Sequence, residues 1–327
     1  MAEATIRDVA TRAELSVATV SRALNGMENV SEQARQRIAA AVQELGYVPH
    51  AGARSLSLAR TNAIGVVLPD LHGEFFSEFV RGMDREANNR GYLLLLSNFH
   101  GGHEQAAKVL RAMRGRVDGL IVMAPHLATR DLSQSLSKGV PTILVNSREG
   151  SEHHPAIRLD NKAGVDRIVE HFAALGRRHL VHVAGPRDNF DAQERAEAFR
   201  RAVDAHGLEG ELIEGDFEIR SGEEAINALI ATGRPFDAIF AANDNMAIGA
   251  LNAIRASGRK VPEDVAVAGF DDIPLARHLG ITTVRVRIAE LGERAVSRLL
   301  DSLSGSDDAE DEMHRPELIV RRTTQAG

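Results

Sequence analysis

The chain has 327 residues, 43% of them hydrophobic and 26% charged, a net charge of −7 and no cysteine. Its length predicts two or three domains with cores of their own, and the missing cysteine removes disulfides, thiolate chemistry and zinc–thiolate sites. The acidic balance argues against broad nonspecific affinity for nucleic acid, although residues 1–60, with seven arginines against six acidic residues, have no acidic excess.

At the N-terminus, MAEATIRDVATRAEL has acidic residues and no apolar segment, so no signal peptide is expected. No apolar run approaches the ~20 residues of a membrane span. A cytoplasmic protein follows. Thr5 with Asp8 reads as a capping box opening a helix of about two turns, with Ile6, Val9 and Ala10 on its apolar face. Ala13-Glu14-Leu15 makes a tight turn. Ser16 then caps a second helix starting at Val17, in which Val20 and Leu24, four apart, point inward together. Its outward set is Val17, Ala18, Ser21, Arg22 and Asn25, a face with little bulk and one arginine. A third helix starts at Ser31, with Ala34, Ile38, Val42 and Leu45 as its buried stripe and Gly46 as C-cap.

Two short helices, a tight turn and a small-residue second helix form the helix-turn-helix pattern. In that arrangement the second helix enters the major groove. Val17 and Ala18 can approach closely and pack on thymine methyls, and Arg22 can fork to guanine. Thr19, Ser21 and Asn25 suit phosphates, which position without specifying. An ordinary surface helix is the plainer alternative. Pro49 closes this unit, and 51–59 is too short to be a stable helix alone. Within it, Leu56 either packs on the next domain or folds on DNA as a wedge in a minor-groove step.

The stretches TIRDVA, LSVATVSRALN, VSEQARQRIAAAVQELGYVPH and ARSLSLARTNAIGVVLPD, in that order, resemble the lactose-repressor (LacI/GalR) family, and the resemblance runs from Thr5 to about Thr324. It implies a DNA-binding headpiece at 1–48, a hinge at 49–61 and an effector-binding, dimerising core at 62–327. The implied DNA-facing set is Thr5, Ser16, Val17, Ala18, Thr19, Ser21, Arg22, Asn25, Ala53 and Leu56. A palindromic operator with a central CG step belongs to the same expectation.

From Asn62 onward, strand and helix signals alternate. Apolar runs predict strands at Ala63–Leu68, Tyr92–Leu96, Gly119–Met123, Thr142–Val145, Leu180–Val183, Ala238–Ala241 and Val265–Ala268, with amphipathic helices between them, Gln193–His206 among these. Such alternation means parallel sheets covered on both faces. A second set of βα units from about Arg178 predicts two doubly wound subdomains, with the chain crossing between them near 160, 290 and 322.

Ligands of open α/β sheets bind beyond the carboxyl ends of the strands. The residues there are Pro69-Asp70, Asn98, Pro125-His126 and Asn146-Ser147, then Gly185-Pro186, Asp216-Phe217, Asn243-Asp244 and Asp271-Asp272. This Asp- and Asn-rich set suits a neutral polyol better than a phosphate, which would call for a glycine-rich loop or basic cluster. The family's core is similar to periplasmic sugar-binding proteins. The resemblance therefore implies an effector between the subdomains, contacted by Asp70, Phe75, Asn146, Arg195, Phe217, Asn243 and Asp271. Asp244 and Asp272 are expected to be helix N-caps. Core packing accounts for Phe75, Phe76 and Phe190 as well as a cleft does.

His103, His126, His153 and His154 lack metal-ligand spacing and are expected at the surface, and neither metal nor cofactor is expected. No leucine heptad follows the strand predicted at Leu318–Val320, so a homodimer is expected. An enzyme on this fold would need a nucleotide loop or nucleophile motif, and none of G-x-G-x-x-G, GK[ST] or G-x-S-x-G occurs. A transport-type binding protein does not account for the headpiece. The sequence reads as a DNA-binding repressor of a carbohydrate-use operon that answers to a small sugar-like effector.

Overall fold

The computed structural model describes residues 4–25, 27, 29–48, 60–99, 102–127, 132, 134–136, 139–148, 154–305 and 310–325. Residues 1–62 and 63–327 form two compact units. Pro49, Ala53, Leu56 and His153 lie outside the described residues.

The first unit holds α1 (Ile6–Ala13), α2 (Val17–Leu24) and α3 (Glu32–Leu45). Each begins at a residue whose oxygen replaces a missing helical acceptor: Thr5, Ser16 and Ser31 accept from Asp8, Thr19 and Ala34 N–H. Gly46 ends α3 in the left-handed conformation (φ 58°). Val9, Ala10, Ala13, Val20, Ile38 and Ala41 are buried at the centre. Ala41, absent from the expected stripe, lies deeper than Ala34, which is half-buried.

The second unit contains two six-stranded sheets. Its strands are β1 (Ala63–Leu68), β2 (Leu93–Asn98), β3 (Gly119–Met123), β4 (Thr142–Val145), β5 (Ala156–Leu159), β6 (His179–Ala184), β7 (Glu209–Glu214), β8 (Ala238–Ala241), β9 (Ala266–Asp271), β10 (Thr282–Arg285), β11 (Glu312–His314) and β12 (Glu317–Ile319). The sheet orders are β11-β5-β4-β3-β1-β2 and β12-β10-β9-β8-β6-β7. All pairings are parallel except β10–β12. Each sheet reverses its winding once, beside β1 and beside β6, so each has a switch point where strand ends splay apart.

Covering the sheets are α4 (Glu74–Asn89), α5 (His103–Met113), α6 (Asn161–Ala174), α7 (Phe190–Ala205), α8 (Ile219–Ala231), α9 (Asp244–Ala256), α10 (Pro274–Leu279) and α11 (Ile288–Leu303). None is long and apolar enough to cross a membrane. The chain leaves the first sheet after β5 and returns after β10 through α11. β11 then joins the first sheet and β12 the second. The last crossing thus falls between His314 and Glu317, ahead of the 322 expected, because β12 already pairs with β10 of the second sheet from Glu317. α11 lies so close to α4 that a Cβ on Gly82 would run into the Ala289 carbonyl, and one on Gly292 into that of Phe79.

Candidate functional site

In the first unit the capping box is complete: Thr5 N–H and Oγ–H both donate to Asp8 Oδ2, at 2.8 and 2.7 Å. These bonds, the hydroxyl's first, hold the Asp8 carboxyl below its ordinary range. Ser16 and Thr19 are similarly engaged, with their hydroxyls 2.8 Å apart and Ser16 accepting from Thr19 N–H. Val17, Ala18 and Arg22 are exposed, whereas Ser21 and Asn25 are half-buried. Asn25 caps the end of α2 rather than continuing its face. Arg22 donates from Nε to Ala18 O at 3.2 Å, which steadies the side chain along the helix. Arg7, which the sequence pattern does not single out, borders one shallow cavity with Ser16, Val17 and Thr19.

The second unit has a cavity of about 230 Å³ between its two sheets. It is bordered by all seven of Asp70, Phe75, Asn146, Arg195, Phe217, Asn243 and Asp271. Contacts between the subdomains frame it. Phe190 N–H donates to Pro125 O at 2.8 Å, Leu275 N–H to Glu74 Oε2 at 2.9 Å, and Arg148 to Gln193 at 3.2 Å. Phe75 and Phe76 meet edge to face at 5.4 Å and both line the cavity. Phe190 does not line it and sits under Arg148 instead, 4.9 Å from the guanidinium.

Arg195 is 4% exposed and held on three sides. Nε donates to Asn161 Oδ1 at 2.8 Å, Nη1 donates to Ala242 O at 2.5 Å, and Cζ lies 3.8 Å over the Phe270 ring. Asn161, the first residue of α6 after the first crossing, spends its whole amide here. Its Nδ2 donates to Asp191 at 2.8 Å and to Glu194 at 2.9 Å. Asp271 stands 4.0 Å from Arg195, at φ 110°, and its carboxylate has no hydrogen bond among the described residues. Burial pushes this carboxyl up to about 7, against the pull of Arg195 and with the help of Asp191. Burial raises Asp191 too, opposed chiefly by Arg195.

Asn146, at φ 50°, brings a buried Oδ1 with no partner among the described residues. Asp70 accepts from Leu71 and His72 N–H in a tight Asx turn. Five carboxylates (Asp70, Asp191, Asp216, Glu218 and Asp271) therefore line the cavity with one guanidinium, that of Arg195. The site accepts hydrogen bonds more readily than it donates them, and it disfavours an anion.

The structure corrects several expectations. Asn243, not Asp244, caps α9: its Oδ1 accepts from Met246 N–H and its Nδ2 donates to Phe217 O. One amide hydrogen is left for a ligand. Asp244 is fully buried and accepts from Ile273 N–H and Thr283 Oγ, and burial holds its carboxyl well above the usual range. Asp272 caps nothing, since Ile273 precedes α10, and instead pairs with three arginines. His154 is buried, not at the surface. Asp191, Asn189 and Asn245 also border the cavity, and the sequence pattern does not single them out. Asp191 does carry a signal, one helical turn before Arg195, but the helix expected from Gln193 begins too late to include it. Among the described residues no cluster of three or more His, Asp or Glu could hold a metal ion.

Residues 5–50 match the "Bacterial regulatory proteins, lacI family" and residues 169–324 the "Periplasmic binding protein-like domain". The ribose operon repressor of Halalkalibacterium halodurans is 33% identical over 99% of this chain and 98% of its own. The HTH-type transcriptional repressor CytR of Escherichia coli is 30% identical over 99% and 97%. Among solved structures, the lac repressor dimer bound to operator and the anti-inducer ONPF superposes with a TM-score of 0.90 at 29% identity, covering 99% of this chain and all of that one. Headpiece, twin-sheet core and full-length likeness agree: the chain belongs to the LacI family of bacterial regulatory proteins.

Proposed function

We propose that this protein is a homodimeric transcriptional repressor that binds palindromic operator DNA and is switched by a neutral polyol, of monosaccharide type, in the cavity between its subdomains. The observation that carries the effector reading is the meeting, in one cavity, of residues drawn from the ends of six strands in two sheets. Hydroxyls of a sugar would donate to Asp70, Asp191, Asp271 and Asn146 Oδ1, which has no partner among the described residues. Arg195 and Asn243 would donate to sugar oxygens, and Phe75 and Phe217 would cover its apolar face.

In the headpiece, Val17, Ala18 and Arg22 read base edges, while Thr5, Ser16, Thr19, Ser21 and Asn25 contact phosphates. The 49–61 segment acts as the hinge, with Ala53 and Leu56 in the minor groove. Edge strand β2 exposes Leu93, Leu95 and Leu96 beside Val109 and Met113 of α5, an apolar edge that a second copy covers. Action on DNA places the protein in the cytoplasm.

The test is operator binding by the full chain across a D-ribose titration, the sugar that the name of one relative puts first, with other monosaccharides in parallel. A palindromic footprint whose affinity shifts with one of these supports the reading. Sugar binding with no effect on DNA, or an unrepeated asymmetric footprint, overturns it.

A further inference from the structure

The effector cavity uses Asp271 and leaves its neighbour unexplained. The backbone is left-handed at both residues, φ 110° at Asp271 and 60° at Asp272, and the turn sends the two carboxylates to different cavities. Asp271 borders the effector cavity, whereas Asp272 lines a second one of about 400 Å³. Five arginines and three carboxylates line this second cavity, in a protein whose net charge is −7.

Asp272 is 2% exposed and meets three guanidiniums. Its Oδ2 accepts from Arg285 Nε at 2.6 Å and Arg277 Nε at 3.2 Å, and its Oδ1 from Arg321 Nη2 at 2.6 Å. A single carboxylate cannot neutralise three cations. The mode of attachment matters as much as the charge. Arg277 and Arg285 are each held by Nε alone, and among the described residues their Nη groups make no hydrogen bond. Asp272 thus tethers two guanidiniums that border the cavity, and their Nη groups keep no partner among the described residues. Guanidinium forks of this kind match a tetrahedral oxyanion two oxygens at a time.

We propose that this cavity is an oxyanion site for the phosphate group of a small metabolite, gripped by the Nη groups of Arg277 and Arg285 with Asp272 as their anchor. Arg81 and Arg85, ion-paired with Glu78 and Glu293, border it from α4 on the other subdomain. An occupant therefore spans both subdomains beside the crossing after β10. Because Asp271 and Asp272 are consecutive, a shift at either cavity moves the same strained turn, and coupling between two sites is reciprocal. The site stands on its own geometry and does not require the repressor reading.

The probe is inorganic phosphate, titrated against the full-length protein at constant ionic strength with chloride as the balancing ion. Melting temperature and heat of binding are followed. Phosphate should give a saturable rise that chloride does not. Arg277→Gln and Arg285→Gln should each weaken phosphate binding by about ten- to hundredfold, the effect of losing a charge-assisted bond. Arg220→Gln removes the same charge from an exposed pair with Glu224 elsewhere and should leave phosphate binding unchanged. If a glutamine variant no longer melts cooperatively, Arg277→Lys and Arg285→Lys keep the charge but lose the fork, and should still weaken binding. Equal effects of phosphate and chloride, or equal losses in Arg220→Gln and Arg285→Gln, would overturn the proposal and leave the cavity an ion-pair hub.

Discussion

Replacing Asp271 by asparagine should make the protein more stable and less responsive. The residue is 7% exposed, and its carboxylate makes no hydrogen bond among the described residues and stands 4.0 Å from Arg195. Burial raises it to about 7 in the folded state, against ~3.9 in an unfolded chain. Between those values the folded protein holds more protons than the unfolded one. Stability is therefore greatest below about pH 4 for this group and is lost as pH rises through about 7. The difference corresponds to roughly 4 kcal/mol by pH 8. An asparagine side chain would never ionise, so Asp271→Asn should melt higher than wild type at pH 8, and the gap should close toward pH 4. Asp191, Glu194 and Asp244 are raised in the same direction, so the wild-type curve has several contributors. Subtracting the variant's curve isolates Asp271. Effector binding should weaken by about ten- to hundredfold, the effect of losing a charged acceptor for a buried hydroxyl. Thermal melts from pH 4 to 8, paired with sugar titrations, make the measurement. A variant that melts lower at pH 8, or a gap that does not vary with pH, would mean that the carboxylate is stabilised as an ion, and the reasoning would fail.

Arg22→Ala should lower the ratio of operator to nonspecific DNA binding by about 1–3 kcal/mol; an unchanged ratio in competition binding would make Arg22 a phosphate contact. Leu56→Ala should weaken operator binding and leave sugar affinity alone, since a minor-groove wedge plays no part in the cavity; equal operator affinity returns Leu56 to a linker role. Gly82→Ala should cost about 1–3 kcal/mol, because its Cβ would strike the Ala289 backbone rather than a movable side chain. The core's melting temperature reports it, and no change would mean that α4 and α11 separate freely. Asn161→Asp should impair the sugar response more than Asn161→Ala, because it sets a third carboxylate against Asp191 and Glu194; equal responses would show that Asn161 does not position Arg195.

What could be read from sequence followed from the range of the interactions involved. Caps act over three residues, so Thr5 with Asp8, Ser16 and Gly46 announce the headpiece helices locally. Strands buried on both faces, such as β1 and β8, show as unbroken apolar runs. β7 (EGELIE) lies at a sheet edge and β10 (TTVR) carries hydroxyls and an arginine, so neither gives that signal. The ends of predicted strands point to Asp70, Asn146, Asn243 and Asp271, because both sheets wind alike and present those ends to each other. Phe75 and Arg195 lie inside helices, where only the family resemblance marks them.

Chemical role was harder to read than position, because an aspartate after a strand looks the same whether it caps a helix, holds a ligand or anchors arginines. Asn243, Asp244, Asp271 and Asp272 all follow or end strands, and they do four different things. Asn243 caps α9, Asp244 ties the start of that helix to Thr283, Asp271 borders the cavity with Arg195 at 4.0 Å and no hydrogen bond among the described residues, and Asp272 gathers Arg277, Arg285 and Arg321. The partners that decide between these roles lie 39 residues away for Asp244 and 49 for Asp272 and Arg321. No local pattern reports that distance. A buried carboxylate that a distant guanidinium compensates only in part, with no hydrogen bond, costs stability. Asp271 sits where a sugar hydroxyl would relieve that cost on binding. On the proposed reading, the same desolvation that weakens the fold supplies part of the drive to bind an effector, and the link between stability and response can be tested at a single side chain.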